Sequence, residues 1–196
     1  TFVLFTSDNG GLWHSWDPVE ADDVAGYKPT PRASYTRNFG HHSNAHLRGT
    51  KADIWEGGHR VPFLVRWPQQ VAPGKVCDQL VELNDTLATI ASIAEIPLPS
   101  DAGEDSRDLM PLLRGGNQAV RDFAIHHSLR GEFAIRSGQW KLIPSRGSGG
   151  FSTPRRITPS VRQAAGQLYD LKADSSETQN LWNQHPSLVN RLSIAL

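Results

Sequence analysis

The chain has 196 residues, 20 Lys+Arg against 20 Asp+Glu, 38% hydrophobic residues and a single cysteine, Cys77. These figures exclude a disordered tail, a collagen-like repeat, an internal disulfide framework and a Cys-rich zinc site. No apolar run approaches the ~18 residues of a membrane-spanning helix. The zero net charge, however, conceals a layout. Residues 1–23 carry Asp8, Asp17, Glu20, Asp22 and Asp23 without Lys or Arg. Residues 24–66 carry Lys28, Arg32, Arg37, Arg48, Lys51, Arg60 and Arg66 against only Asp53 and Glu56. The halves of this pattern are −5 and +5, and the remaining residues balance. An acidic stretch beside a basic, histidine-rich one suits a site for a metal together with an anion. With no overall positive charge, nucleic-acid binding is not expected.

In chain order, Thr1-Phe-Val-Leu-Phe-Thr6 reads as a strand, cut off by Asn9-Gly10-Gly11. Its unbroken apolarity predicts burial on both faces, as in a helix-covered parallel sheet. Opening inside such a strand, with no charged leader ahead of it, the chain is expected to be a fragment of a longer polypeptide. Residues 10–46 have no helical or strand period and predict a long loop, either functional or disordered. Residues 61–67 form the next strand, with Pro62 at its start. Residues 84–95 predict a helix capped by Asn84 or Asp85, with Leu87, Ile90, Ala91 and Ala94 on one face. A helical turn follows over 108–113. Residues 122–127, 132–136, 139–143 and 167–171 read as strands, the middle two joined by Ser137-Gly138. Phe133 and Ile135 should then face Trp140 and Leu142, with Arg136 and Lys141 on the other side. Residues 145–153 form a Gly/Ser loop. A C-terminal helix starts near Pro186 and aligns Leu188, Leu192 and Ala195 with Val189 and Leu196. The expected organisation is an α/β layer over 1–120 followed by a small antiparallel subdomain with a terminal helix over 121–196.

Asp8-Asn9 stands where the first strand ends, the position at which open α/β sheets bind ligands. A carboxylate beside an amide oxygen suits a hard cation such as Ca²⁺ or Mg²⁺, but Ca²⁺ takes about 6–8 oxygens, so the pair cannot complete a site. The same three residues, Asp-Asn-Gly, also make an ordinary turn. Lys51 offers a point charge able to neutralise a sulfate or phosphate oxygen. Glu56 and Arg60 are spaced for an ion pair that would fix their loop. His42 and His46 would share a helix face, yet the surrounding Gly40 and Asn44 argue against a helix there, and His126 and His127 point to opposite sides of a strand. No glycine-rich phosphate loop is present.

Phe5-Thr-Ser-Asp-Asn-Gly10, Gly40-His-His-Ser-Asn44, Leu47-Arg-Gly-Thr-Lys51, Glu56-Gly-Gly-His-Arg-Val-Pro62 and Trp67-Pro68 together resemble the formylglycine-dependent sulfatases, of the alkaline phosphatase-like superfold. Phe133-Ala-Ile-Arg-Ser-Gly-Gln-Trp-Lys-Leu-Ile143 and Leu168-Tyr-Asp-Leu171 through Asn180-Leu181 resemble the C-terminal subdomain of the same family. The resemblance implies an alkaline phosphatase-like sandwich, of which this chain is the C-terminal portion. It implies that Asp8 and Asn9 are calcium ligands, that Lys51 binds the sulfate, and that His41 or His42 reaches the substrate or its leaving group. It also implies a formylglycine nucleophile that forms a sulfated intermediate beside the metal. Implied partners are a sulfated small molecule or glycan and the N-terminal part of the same polypeptide. The implied location is outside the cytoplasm, by export.

Where the chain departs from the family matters as much. The nucleophile arises from Cys or Ser in C/S-x-P-x-R, upstream of the Asp-Asn pair; Cys77 does not fit that motif. Ser152-Thr-Pro-Arg-Arg156 satisfies it literally, but follows the Asp-Asn pair and lies in a Gly/Ser-rich loop, so it is rejected. The upstream Asp pair, catalytic arginine and upstream histidines are also absent from the chain, and Ser175 stands where the family often has Pro. The fragment alone is therefore expected to be inactive. Competing readings are a phosphoester or phosphonate hydrolase of the same superfold, a catalytically dead sulfated-glycan binder, and a structural lid.

Overall fold

The computed structural model describes residues 1–12 and 43–196, which leaves His41 and His42 outside the described residues. Two compact units result, one of residues 1–8 and 62–124, the other of residues 9–61 and 125–196.

In the first unit, β1 (Val3–Thr6) pairs antiparallel with β2 (Phe63–Arg66), Val3 opposite Arg66 and Thr6 opposite Phe63. Because strand side chains alternate, Phe2, Leu4, Phe63 and Val65 share one face. They line an apolar cavity with Thr89 and Ile90 of α2 (Asp85–Ile93) and with Leu109. Phe2 also meets Trp67 edge to face at 5.5 Å. The opposite face is open: Val3, Phe5 and Leu64 are 44%, 64% and 58% exposed. Within these residues only one face of the strand pair is covered. An unbroken apolar run shows only that either face could be covered, and here helices cover one.

The helix α2 differs from its predicted face as well. Leu87 and Ile90 are half-exposed, whereas Asp85, Thr89 and Ala91 are buried. Hydrogen bonds explain how polar groups take the inner positions. The Asp85 carboxylate accepts the N–H groups of Glu82 and Arg107, each at 2.8 Å. Arg121 bridges Asp85 to Glu82, and Thr89 Oγ1 accepts the Leu109 N–H at 3.0 Å. Asn84 occupies the cap position without a side-chain capping bond. The predicted helical turn is α3 (Met110–Leu113).

The second unit holds α1 (Glu56–His59) and a four-stranded sheet in the order β3 (Ala124–His127), β4 (Phe133–Ser137), β5 (Trp140–Ile143) and β6 (Gln167–Asp170). Ser137 pairs with Trp140, so the two-residue turn is Gly138-Gln139, one residue later than the predicted Ser137-Gly138. Gly138 takes φ +56°, which glycine adopts without steric cost. Ile135 lies opposite Leu142 and Leu142 opposite Leu168. These three pack against Leu192 of α4 (Pro186–Ala195), with Trp140, Leu181, Trp182 and Leu188 around them. The other face of the sheet presents Ala134, Ile143 and Tyr169 to Ile54, Trp55 and Leu171.

Leu192, 3% exposed, is the one fully buried side chain of α4. Leu192→Ala should destabilise the protein by about 2–5 kcal/mol, as large-to-small core changes do, and a urea titration followed by the fluorescence of the surrounding tryptophans would measure it.

Candidate functional site

The loop after β1 is sewn to the segment that carries Lys51. Gly10 N–H donates to Gly58 O at 3.0 Å. A Cβ on Gly10 would lie 1.7 Å from Gly57 O, so only glycine permits the approach. Asn44 closes the loop with its side-chain amide: Oδ1 accepts Gly11 N–H at 2.7 Å, and Nδ2 donates to Gly11 O at 3.1 Å and Gly49 O at 2.9 Å. Gly11 O also accepts from Thr50 Oγ1 at 2.6 Å and from Lys51 N–H at 3.1 Å. Lys51 is consequently held two residues from Asn9 through a single shared carbonyl. Its side chain is exposed and has no partner among the described residues.

Asp53 secures the other side of this segment. Although fully buried, its carboxylate is satisfied locally and at long range. Oδ2 accepts Thr50 N–H at 2.9 Å, Oδ1 accepts the N–H groups of Phe151 at 2.7 Å and Ser152 at 3.0 Å, and Ser152 Oγ donates to Oδ2. Ile54 N–H adds a bond to Ser148 O at 2.8 Å. Ser152, the serine that matched the nucleophile motif literally, is 2% exposed with its hydroxyl committed to Asp53. Its role here is to fasten the Gly/Ser loop.

Beneath the segment lies a buried ion cluster. Lys141 of β5 is fully buried, its Nζ 3.0 Å from Glu56 Oε1 and 3.0 Å from Glu177 Oε1. Arg136 of β4 adds a contact to Glu56 Oε2 at 3.3 Å. Glu177 Oε2 accepts the Glu56 backbone N–H at 2.6 Å, one of the donors that the start of α1 leaves free. The predicted Glu56–Arg60 pair is not the one that forms: Arg60 is exposed, and Glu56 reaches across 85 residues to Lys141. Burial would push the Glu56 carboxyl up, but Lys141 and Arg136 outweigh it and hold Glu56 below the ordinary value. Burial also pushes Glu177 up, and the neighbouring Glu56 charge adds to this against the pull of Lys141. Arg48 completes the frame, donating to Glu177 O at 2.8 Å and Tyr169 OH at 3.1 Å with its guanidinium 3.7 Å above the Trp55 ring. Burial raises the Tyr169 hydroxyl to about 12, so it stays a neutral donor, bonded to Gln167 Oε1 at 2.8 Å.

Two imidazoles meet beside this cluster, His59 and His126, with ring centroids 4.2 Å apart and planes tilted by 46°. His126 Nε2 lies 3.4 Å from Ile54 O, and His59 Nε2 is buried without a hydrogen-bond partner. Burial and then Lys141 lower His59 to about 4, and burial, Lys141 and His59 lower His126 still further. Both rings are therefore neutral at physiological pH.

Of the residues singled out by sequence, the structure brings Asn9 and Lys51 together. Asn9 is half-buried, with Nδ2 donating to Gly10 O at 3.0 Å; Asp8 is exposed just past the end of β1. Their donor set, a carboxylate and an amide, fits a hard cation in kind but supplies a minority of the oxygens that Ca²⁺ takes. Among the described residues no group of three or more His, Cys, Asp or Glu side chains is placed to hold a metal. Sequence reasoning missed Asp53, Lys141 and Glu177 as the groups that hold the lysine segment. Lys141 stood on the expected side of its strand, but nothing local marks that side as buried.

Residues 1–96 match the family described as Sulfatase, and residues 50–148 match the one described as N-sulphoglucosamine sulphohydrolase, C-terminal. An N-acetylgalactosamine-6-O-sulfatase of Bacteroides thetaiotaomicron is 36% identical over 98% of this chain and 35% of its own length. The Mus musculus steryl-sulfatase is 34% identical over 92% of this chain and 29% of its own. A solved structure from work on glycosaminoglycan metabolism by Bacteroides thetaiotaomicron superposes with a TM-score of 0.76 at 33% identity, covering 100% of this chain and 38% of that one. The chain thus spans about a third of the length of the curated relatives it matches.

Two outcomes follow from the cluster. Lys141→Met leaves two buried carboxylates without their ammonium and should cost about 3–5 kcal/mol; adding Glu177→Gln should recover part of that loss in the same denaturation assay. His59 and His126 have an ordinary unfolded value near 6.5, so unfolding takes up protons below it. Their contribution is fully present above pH about 6.5 and lost as pH falls toward 4. Melting temperature should drop between pH 7.5 and 5, and His126→Phe should flatten that slope.

Proposed function

This chain belongs to the sulfatase family, and from that premise we propose that the full-length protein hydrolyses sulfate esters of small molecules or carbohydrates, with this portion supplying one wall of the site. The observation that carries the reading is the bond from Lys51 N–H to Gly11 O. It ties the backbone of Lys51, whose side chain is exposed and has no partner among the described residues, to the loop that follows Asn9. Lys51 binds the sulfate and stabilises charge on the sulfuryl oxygens as the S–O bond to the leaving group breaks. Asp8 and Asn9 would hold a divalent cation, Ca²⁺ or in its place Mg²⁺, together with oxygens from the rest of the polypeptide. Bound there, the cation would supply Lewis-acid polarisation of the ester. His41 or His42 contacts the substrate or receives the leaving group.

The nucleophile motif has no acceptable match in this chain: Cys77 is exposed in an unrelated context and Ser152 is committed to Asp53. A formylglycine would therefore come from the remainder of the polypeptide, and the 196-residue portion by itself is inactive. Export from the cytoplasm belongs to the same reading. Among the described residues no helix is long and apolar enough to cross a membrane.

In the full-length protein, Lys51→Ala should lower kcat/KM toward p-nitrophenyl sulfate by about 10²–10³, the usual loss on removing one charge-stabilising donor. Turnover of the phosphate ester in preference to the sulfate would instead favour the phosphohydrolase alternative. Turnover by residues 1–196 alone, abolished by Lys51→Ala, would overturn the claim that the nucleophile lies elsewhere.

A further inference from the structure

The turn after β1 contains a reactive dipeptide. Asn9-Gly10 is the one Asn-Gly pair in the chain. Asparagine is a thermolabile residue, and it is most labile before glycine, because no Cβ shields the following backbone nitrogen from the carboxamide. Gly10 cannot be exchanged for a slower neighbour: a Cβ there would lie 1.7 Å from Gly57 O and 3.0 Å from Gly58 Cα. The close packing that joins the turn to α1 therefore brings a chemical hazard with it.

The same packing restrains the atoms that would react. Gly10 is buried, and its nitrogen, the nucleophile of the reaction, donates its hydrogen to Gly58 O at 3.0 Å. Asn9 Nδ2, the leaving group, donates to Gly10 O at 3.0 Å. One residue further on, Asn44 grips both polar groups of Gly11: Oδ1 accepts its N–H at 2.7 Å and Nδ2 donates to its O at 3.1 Å. Thr50 Oγ1 and Lys51 N–H hold that same carbonyl. Gly58 is fixed in turn, with its N–H on Trp55 O at 2.9 Å and its Cα so close to Asp53 that a Cβ would lie 2.2 Å from Asp53 O. Ring closure needs the opposite of this arrangement. The Gly10 nitrogen has to shed its proton and turn onto Asn9 Cγ, which the bond to Gly58 O prevents.

We infer that Asn9-Gly10 is a deamidation site that the fold holds closed, and that opening of the Gly10–Gly58 contact releases it. In the opened turn, hydroxide removes the Gly10 N–H proton and the nitrogen attacks Asn9 Cγ. A Cγ–N bond forms, the Cγ–Nδ2 bond breaks, and Nδ2 departs as ammonia with a proton from water, which restores the hydroxide. Water then opens the succinimide ring. Cleavage of the new Cγ–N bond leaves aspartate, whereas cleavage of the original peptide C–N bond leaves isoaspartate, with the main chain rerouted through the side chain and one atom longer. The lengthened chain no longer fits a contact built on the close approach of glycines, so isoaspartate makes the opening permanent. The chemistry is independent of the sulfate-ester reading; where that reading holds, the altered residue is one of the two assigned to the cation.

The test uses the full-length protein in mildly alkaline buffer, with conversion at Asn9 read by peptide mass spectrometry and isoaspartate counted by enzymatic methylation. Because modification proceeds through the opened fraction, Asn9 should convert at least about tenfold more slowly in the folded protein than in guanidinium chloride. Asn44→Ala removes the side-chain bonds on Gly11 without touching the dipeptide, and should speed conversion several-fold in a protein that stays folded by circular dichroism. If that variant does not fold, amide exchange carries the test: in the unsubstituted protein, conversion and hydrogen exchange at the Gly10 N–H should rise in parallel through sub-denaturing guanidinium. Equal rates in the folded and unfolded protein, no acceleration in folded N44A, or conversion that does not follow Gly10 exchange would overturn the inference. Sulfate hydrolysis enters none of these readouts, so failure of the sulfate-ester reading would leave the inference standing.

Discussion

An ammonium group removed wholly from water has to be compensated within hydrogen-bond reach, and Lys141 draws that compensation from two distant parts of the chain at once. Glu56 comes from the segment next to Lys51, and Glu177 from the turn that follows β6. The Glu177 carboxylate then turns back to hold the Glu56 backbone N–H. The Glu56 backbone N–H thus closes a loop of contacts through Lys141 and Glu177, and Lys141 cannot leave without stranding buried carboxylate charge. Whatever its net contribution to stability, such a cluster is intolerant of alternative arrangements. The Ile54–Trp55 contact with the sheet, the seat of Arg48 on Trp55 and the course of the lysine segment are all conditional on it.

The same economy governs the surface above. Asp53 is a buried acid whose two oxygens are filled by donors from a loop almost a hundred residues away. Its carboxylate acts as a fastener between two backbones, leaving the cations of both segments unneutralised. The charges used for construction, Asp53, Glu56, Lys141 and Glu177, are thus turned inward and paired.

Local patterns were readable from sequence where the physics is local. The hairpin of β4 and β5 was visible from alternation and a glycine turn, with its loop displaced by one residue because Ser137 and Trp140 pair. The helix α4 was visible from Pro186 and the spacing of Leu188 and Leu192. Lys51 and Asn9 stood out through motif context, and the structure joins them through Gly11. What escaped were interactions whose partners are far apart in the chain. Arg60 was the natural partner for Glu56 at a spacing of four residues, yet the pair that forms spans 85 residues. Likewise, nothing in Trp-Lys-Leu-Ile declares that the lysine side of that strand is interior.

The bond from Glu56 N–H to Glu177 joins residues separated by 121 positions, and this has a bearing on the order in which the protein can be made. A chain emerging from the ribosome presents the Lys51 segment early, but the groups that hold it arrive much later: β5 with Lys141, then the turn with Glu177. Until then Glu56 has no counter-charge, and loop-closure entropy opposes any earlier fixing of the segment. The lysine segment therefore acquires its final setting only once Glu177 has been synthesised. Slow translation between Lys51 and Glu177 would leave Lys51 present in the polypeptide but without the contacts that hold its segment.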